Sequence, residues 1–262
     1  MKDIVLNNGI KIPQLGYGVY KIEKDKAEEC VLNALKVGYR HIDTAYYYYN
    51  EEEVGKAIKK SGLKREEIFL TTKIVEANSY EEAVNKIEDA LRKLDTEYID
   101  LMLIHWPSGD NIATYKAMEH YYEIGKLKAI GLSNFYGKEL DKILTNCKIR
   151  PAINQIEAHV YNQQKEMKNL LDELGIILEA WSPLAAGKNN IFEDETLKEI
   201  GKKYAKTAAQ VALRYLLEMN IVIIPKTTNI ERMKENIDIF DFSLTGDERD
   251  KISKLDLNHS LF

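Results

Sequence analysis

Eight short strand-like runs, several of them apolar throughout, each followed by an amphipathic helical run, recur along almost the whole chain. No other feature narrows the possible folds as far. The runs cover 15–19, 40–43, 68–73, 99–105, 129–133, 152–157, 176–182 and 221–225. Leu101 to Ile104 and Ile221 to Ile224 are apolar at every position. Such runs do not alternate between faces, as expected of strands buried on both sides in a parallel sheet. The intervening helices carry apolar residues at i, i+3, i+4 spacing. Ala27, Cys30, Val31, Ala34 and Leu35 line the first, and Ala83, Val84, Ile87, Leu91 and Leu94 another. Leu140, Ile143 and Leu144 mark a third, Met167, Leu170, Leu171 and Leu174 a fourth, and Val211, Ala212, Tyr215 and Leu216 a later one. Asn50 followed three residues on by Glu53 predicts a capping box at a helix start.

Eight strand–helix units without a linker predict an α/β chain, a closed parallel (β/α)8 TIM barrel spanning 1–262 as one domain. The competing doubly wound sheet places a glycine-rich fingerprint after its first strand. Only Gly16-Tyr17-Gly18 is a candidate, and Lys21 stands where the third glycine belongs. Asn7-Asn8-Gly9 reads as the turn of an N-terminal β-hairpin that could plug the barrel floor. Helical patterns at 193–204 and 246–256 exceed what eight units need, so additional helices are expected near the C-terminus.

The chain has 262 residues and a net charge of −5, with basic residues scattered. This balance argues against a nucleic acid or an anionic membrane as partner. Two cysteines, Cys30 and Cys147, are too few for a disulfide framework. No metal site is expected, because His41, His105, His120, His159 and His259 form no ligand spacing such as H-x-H. The chain shows neither a secretory signal nor a membrane span, so the expected location is the cytoplasm.

In such a barrel the reactive groups stand at the carboxyl ends of the strands. Asp43, Lys73 and His105 end the second, third and fourth runs, and Tyr48 follows Asp43 by five residues. A phenol is a weak acid at neutral pH. A neighbouring ammonium lowers its pKa, and a carboxylate can hold that ammonium in place. A neutral imidazole can orient a carbonyl oxygen. Together the four would polarise a carbonyl and protonate the alkoxide. Each alone has a plainer explanation: a loop cap, a solvated strand end, a core histidine, one of four consecutive tyrosines. Their convergence at successive strand ends favours catalysis. After the eighth run, Lys226, Thr227 and Arg232 gather where Asn229 would cap a helix, a ready anion site. The plainer alternative there pairs Arg232 with Glu231 or Glu235.

Gly38-Tyr39-Arg40-His41-Ile42-Asp43-Thr44-Ala45-Tyr46-Tyr47-Tyr48-Tyr49-Asn50-Glu51 resembles the first signature of the aldo-keto reductase family at every fixed position of G-x-R-x-x-D-T-A-x-x-Y-x-N-E. Thr71-Thr72-Lys73, Leu103-Ile104-His105-Trp106-Pro107, Ile130-Gly131-Leu132-Ser133-Asn134-Phe135 and Ile224-Pro225-Lys226-Thr227 with Arg232-Met233-Lys234-Glu235-Asn236 resemble later family segments, in order. The resemblance implies an NADPH/NADP+-dependent carbonyl reductase with the tetrad Asp43, Tyr48, Lys73 and His105, Tyr48 being the general acid. It implies a cofactor seat of Gly18, Val19, Tyr20, Asp43, Ser133, Asn134, Gln155, Trp181, Ser182, Leu184, Lys226, Thr227, Arg232, Glu235 and Asn236. Lys226, Thr227 and Arg232 would take the 2′-phosphate, Glu235 and Asn236 the adenine, and Ser133, Asn134 and Gln155 the carboxamide.

Trp181 stands where the family more often has Tyr, and offers a larger stacking face. Val19 replaces a frequent Thr, and Val75 a common pocket Trp. Tyr20, Tyr48, His105 and Trp106 are the expected substrate-binding residues. A short loop at 108–111 and a short C-terminal segment imply an open pocket for small aldehydes, dicarbonyls or keto sugars. The state implied is a monomer with a small-molecule carbonyl substrate. The complete tetrad disfavours a non-catalytic nicotinamide-nucleotide-binding regulatory subunit, and the lack of a ligand cluster at the strand ends disfavours a metal-dependent or phosphate-transfer barrel enzyme.

Overall fold

The computed structural model describes residues 2–262. The chain opens with an antiparallel hairpin, β1 (Asp3–Val5) and β2 (Lys11–Pro13). Eight parallel strands follow: β3 (Tyr17–Gly18), β4 (His41–Asp43), β5 (Phe69–Ile74), β6 (Ile99–Ile104), β7 (Leu127–Ser133), β8 (Ile153–Glu157), β9 (Ile177–Trp181) and β10 (Val222–Ile223). They lie side by side in chain order. The seam between last and first strands is closed by a parallel bridge between Leu15 and Ile223. Gly16 N donates to Ile223 O at 2.8 Å, and Ile223 N donates to Gln14 O at 2.9 Å. The bridge joins the first and last strands, so the eight-stranded sheet closes on itself.

Helices α1 (Lys24–Val37), α2 (Glu51–Lys60), α3 (Tyr80–Leu94), α4 (Asn111–Glu123), α5 (Gly137–Asn146) and α6 (Lys165–Glu173) each follow a strand. After β9 come α7 (Glu195–Tyr204), the additional helix, and α8 (Ala208–Glu218); after β10 come α9 (Ile230–Ile237) and α10 (Gly246–Ser253). The buried face of α1 is Ala27, Cys30, Val31, Ala34 and Leu35, as the spacing predicts. No helix among the described residues is long and apolar enough to cross a membrane.

The hairpin does seal the floor. Ile4, Leu6 and Ile12 pack in one cluster with Phe69, Leu101, Leu103 and Val222. Asn7 and Asn8 pin it by donating to Pro151 O and Lys128 O, each at 2.9 Å.

The capping box expected at Asn50 does not form: Asn50 starts α2, but its side chain caps nothing. Instead its Oδ1 accepts from Thr44 Oγ1 at 2.9 Å, and its Nδ2 donates to Val19 O and Ile22 O. Asn50 is fully buried, so satisfying three neighbouring loop groups outweighs capping a helix start. Glu51 is buried too and accepts from Thr72 Oγ1 at 2.7 Å. The Asn-Glu end of the first signature therefore braces the loop that carries Tyr48.

Candidate active site

Parallel strands and short turns deliver the four reactive groups to one rim. Asp43 closes β4, Lys73 is the penultimate residue of β5, and His105 directly follows β6. Tyr48 ends the 3-10 turn Tyr46–Tyr48. That turn parts the four tyrosines. Tyr47 Oη donates outward to Glu76 Oε1 at 2.7 Å, and the Tyr46 ring lies 4.3 Å below Lys93 Nζ. Tyr49 is exposed, and Tyr48 alone turns toward Lys73. Lys73 Nζ lies 2.6 Å from Asp43 Oδ1, 3.0 Å from Thr44 O and 3.4 Å from Tyr48 Oη. The Tyr48 and His105 rings meet edge to face, their centres 5.7 Å apart.

Burial is the largest single influence on Lys73 and disfavours its ammonium, but the Asp43 charge and hydrogen bond, with Tyr48 and Glu179, together outweigh it and raise the pKa above its usual value. The expected lowering of the Tyr48 pKa is overturned: Lys73 does pull it down, but burial outweighs that pull. Burial pushes the phenol up to about 12, Lys73 acting against it and Asp43 with it. Tyr48 thus keeps its proton across neutral pH, which suits a donor. Burial and the Lys73 charge lower His105 to about 3, so its ring is neutral. His105 Nδ1 is buried without a partner. A bare acceptor costs less than a bare N–H, so the proton belongs on Nε2, as a donor.

A polar layer lies beneath. Gln155 Nε2 donates to Asp43 Oδ2 at 2.9 Å and to Glu179 Oε2 at 3.1 Å. His41 Nε2 is 3.0 Å from Thr71 Oγ1 and 3.7 Å from Glu179 Oε1. Glu179 is fully buried, and burial with the Asp43 charge pushes its pKa to about 8. The groups facing it are Asp43 and His41 from β4, Lys73 from β5 and Gln155 from β8.

Below about 4.5, its ordinary value, this glutamate is protonated in both folded and unfolded chains. Above that the unfolded chain releases the proton while the folded one retains it, so stability falls with rising pH until about 8. Glu179→Gln removes this loss. Its melting temperature should match the native protein at pH 4.5 and exceed it by roughly 5–10 °C at pH 8. Thermal melts across that range check the sign; a gap that shrinks with pH is the contrary result.

Above the layer, Asn134 Nδ2 donates to His105 O and Ser133 Oγ, and Ser133 Oγ donates to Gln155 O. Trp181 Nε1 donates to Asn134 Oδ1 at 2.8 Å, so its indole is fixed at the rim and is no plain core residue. Tyr20 and Trp106 are about half exposed, the first 5.0 Å from the Tyr48 ring and the second beside His105. Sequence reasoning missed two further walls. Tyr47 stands 6.4 Å from the His105 ring, and Phe262 meets Trp181 edge-on at 5.3 Å. Phe262 arrives because Leu261 N and Ser260 Oγ both donate to Glu157 at the end of β8, while Lys188 sits over its ring at 3.9 Å. The C-terminal residues therefore reach the Trp181 side of the rim.

The second cluster lies past β10. Gly18 passes close to it: a Cβ there would lie 3.0 Å from Ile224 O. Val19 and Asp43 line the same side, Val19 N donating to Asp43 O. Ser182, at φ 50, and Leu184 lead from β9 into a loop with several left-handed residues. Lys226 is exposed, and Thr227 Oγ1 accepts from Asn229 N. Asn229 caps α9 as expected, accepting from Glu231 N and Arg232 N. Glu231 pairs with Lys234, and Glu235 accepts from Thr207, so neither takes Arg232. Arg232 is exposed without an ion pair among the described residues, and Asn236 is buried one turn on.

A family model described as the aldo/keto reductase family matches residues 14–257. The chain belongs to that family. This aldo/keto reductase is 45% identical to the glyoxal reductase of Bacillus subtilis over 259 residues, 97% of this chain and 93% of that one. An aldo/keto reductase structure from Brucella melitensis matches with a TM-score of 0.93 at 46% identity, covering 97% of this chain and 99% of the other. A Bombyx mori aldo-keto reductase solved in complex with NADP matches with a TM-score of 0.93 at 35% identity, covering 100% and 94%. Membership makes this aldo/keto reductase an oxidoreductase of the carbonyl-reducing class, a family that binds nicotinamide cofactors.

Proposed function

We propose that the chain reduces aldehydes and ketones, small dicarbonyls among them, with NADPH as reductant and Tyr48 as proton donor. The observation that carries this is Lys73 Nζ, buried between Asp43 and Tyr48 at 2.6 Å and 3.4 Å. A buried ammonium without a carboxylate would lose its proton or its place; with Asp43 it stays charged beside the phenol. As the phenol gives up its proton, the phenolate forms next to that charge, so the stabilisation grows along the reaction coordinate. His105 donates from Nε2 to the carbonyl oxygen and holds it near Tyr48 Oη. Tyr20, Tyr47, Trp106 and Phe262 exclude water around a small substrate.

The residues fit a nicotinamide dinucleotide, which supplies the hydride when bound. Ser133, Asn134 and Gln155 would hold its carboxamide, Trp181 its ring, and Gly18, Val19, Tyr20, Ser182 and Leu184 the adjoining backbone path. Lys226, Thr227 and Arg232 would take the 2′-phosphate, with Glu235 and Asn236 at the adenine. The absence of any ion pair on Arg232 supports that assignment. The family resemblance is the ground for proposing action as a monomer. The name of the Bacillus relative supports small dicarbonyls as substrates.

Consumption of NADPH with methylglyoxal tests the activity directly. Absence of turnover across a panel of small aldehydes and dicarbonyls, or strict selectivity for a bulky ligand such as a steroid, contradicts the proposal. Charge-assisted bonds are worth about 1.5–3 kcal/mol each. Arg232→Ala should therefore weaken NADPH by about 10- to 100-fold and change NADH by less than about twofold. Equal losses for the two cofactors refute the phosphate assignment.

A further inference from the structure

Glu179 has no part in the reaction as described, yet it is a fully buried carboxyl within the polar layer beneath Asp43 and Lys73. Its one hydrogen bond comes from Gln155 Nε2, and its other oxygen, Oε1, has no partner. Glu179 and Gln155 are register partners on neighbouring strands, so the contact is fixed by the barrel itself. The same amide nitrogen also donates to Asp43 Oδ2. Gln155 Nε2 has two protons, and both are taken by carboxyl oxygens.

A side-chain amide can flip, exchanging its donor end for its acceptor end. Glu179 keeps its proton at neutral pH, and with that proton on the partnerless Oε1 its Oε2 faces Gln155 as an acceptor, so a flip would press the amide oxygen against Oε2 and the Asp43 carboxylate in a dry interior. Two acceptors on one side therefore fix which end faces the site. Gln155 Oε1 accepts no bond among the described residues, so it is left for a ligand. Its neighbours point the same way. Both protons of Asn134 Nδ2 are spent on His105 O and Ser133 Oγ, and the Ser133 hydroxyl proton is spent on Gln155 O. This corner of the site offers acceptors and no donors, so it reads N–H groups on whatever it binds.

We infer that Glu179 is a positioning residue: it locks the Gln155 amide with its oxygen toward the site, so that the pocket selects a primary carboxamide on the cofactor ring. The inference rests on the nicotinamide reading above and deepens it. With only Asp43 as acceptor, the amide would be free to turn about that single bond or to flip. The carbonyl that meets the ring amide would then lose its fixed direction.

The test compares NADPH with its 3-acetylpyridine analogue, in which the carboxamide NH2 is replaced by a methyl group. Both are titrated against the full chain by quenching of tryptophan fluorescence. The native protein should favour the carboxamide by about fivefold, the worth of one neutral hydrogen bond. Glu179→Met keeps the volume and removes the acceptor, and its preference should fall to about 1. Glu179→Gln keeps an acceptor facing Gln155 and should retain the native preference within about twofold. A residue with a purely structural role would weaken both ligands alike and leave the ratio unchanged. An unchanged ratio in Glu179→Met overturns the inference, as does a native protein that binds both ligands equally. If Glu179→Met does not fold, Glu179→Ala gives the same measurement. A native protein that binds neither ligand instead overturns the nicotinamide reading itself, so the two failures are distinct.

Discussion

Tyr48→Phe should reduce kcat for carbonyl reduction by about 10²–10⁴-fold, the usual worth of a positioned general acid, while NADPH affinity changes by less than about twofold. The substitution removes one oxygen whose only partner among the described residues is Lys73 Nζ at 3.4 Å. The ring keeps its edge-to-face contact with His105 and its place beside Tyr20. The loss is therefore specific to the transition state and should lower kcat and kcat/KM together. Steady-state rates with methylglyoxal and cofactor titrations measure both parts. Full activity in the variant rules out the assigned acid.

Lys73→Met should be more damaging still, because it injures both chemistry and fold. Lys73 and Asp43 are both almost wholly buried and 2.6 Å apart. Removing one partner of such a pair costs about 3–5 kcal/mol, since the other is left as an unpaired charge. Asp43 retains only the Gln155 amide, so it takes up a proton or admits water. Turnover should fall by at least the Tyr48→Phe factor, since the phenolate then forms with no cation beside it. Lys73→Met with Asp43→Asn should recover much of the stability and none of the activity. Chemical denaturation and turnover separate the two effects; recovery of activity in the double variant refutes the role given to Lys73.

The strands were legible because continuous apolar runs and strand-end polar residues leave few alternatives. All eight begin and end within two residues of the runs in the sequence. The first and last shrink to two residues each, although the apolar runs 15–19 and 221–225 are longer. At that seam Pro225 lacks an N–H, and bonds such as Gly18 N to Pro225 O replace a regular ladder. The tetrad was legible through its strand-end positions, but its electrostatics were not. Chemical identity says that an ammonium lowers a phenol's pKa; only the geometry shows that burial exceeds it at Tyr48. Glu179 was hidden because a single acid within an apolar run carries no sign of its depth. Its pairing with Gln155 needs the register of two strands. Glu157 was equally silent: His159 lies two residues on, but the groups that bring in Phe262, Ser260 and Leu261, lie more than a hundred residues away.

The seam has a consequence for biosynthesis. Gln14 reaches Leu217 O across 203 positions of sequence, and Gly16 meets Ile223. The hairpin and first strand emerge from the ribosome early and must wait for the eighth strand before their final bonds exist. Nascent chains released before residue 223 would carry all four reactive side chains and still lack the ring that holds them, so partial translation products should accumulate as chaperone clients rather than as weak enzymes.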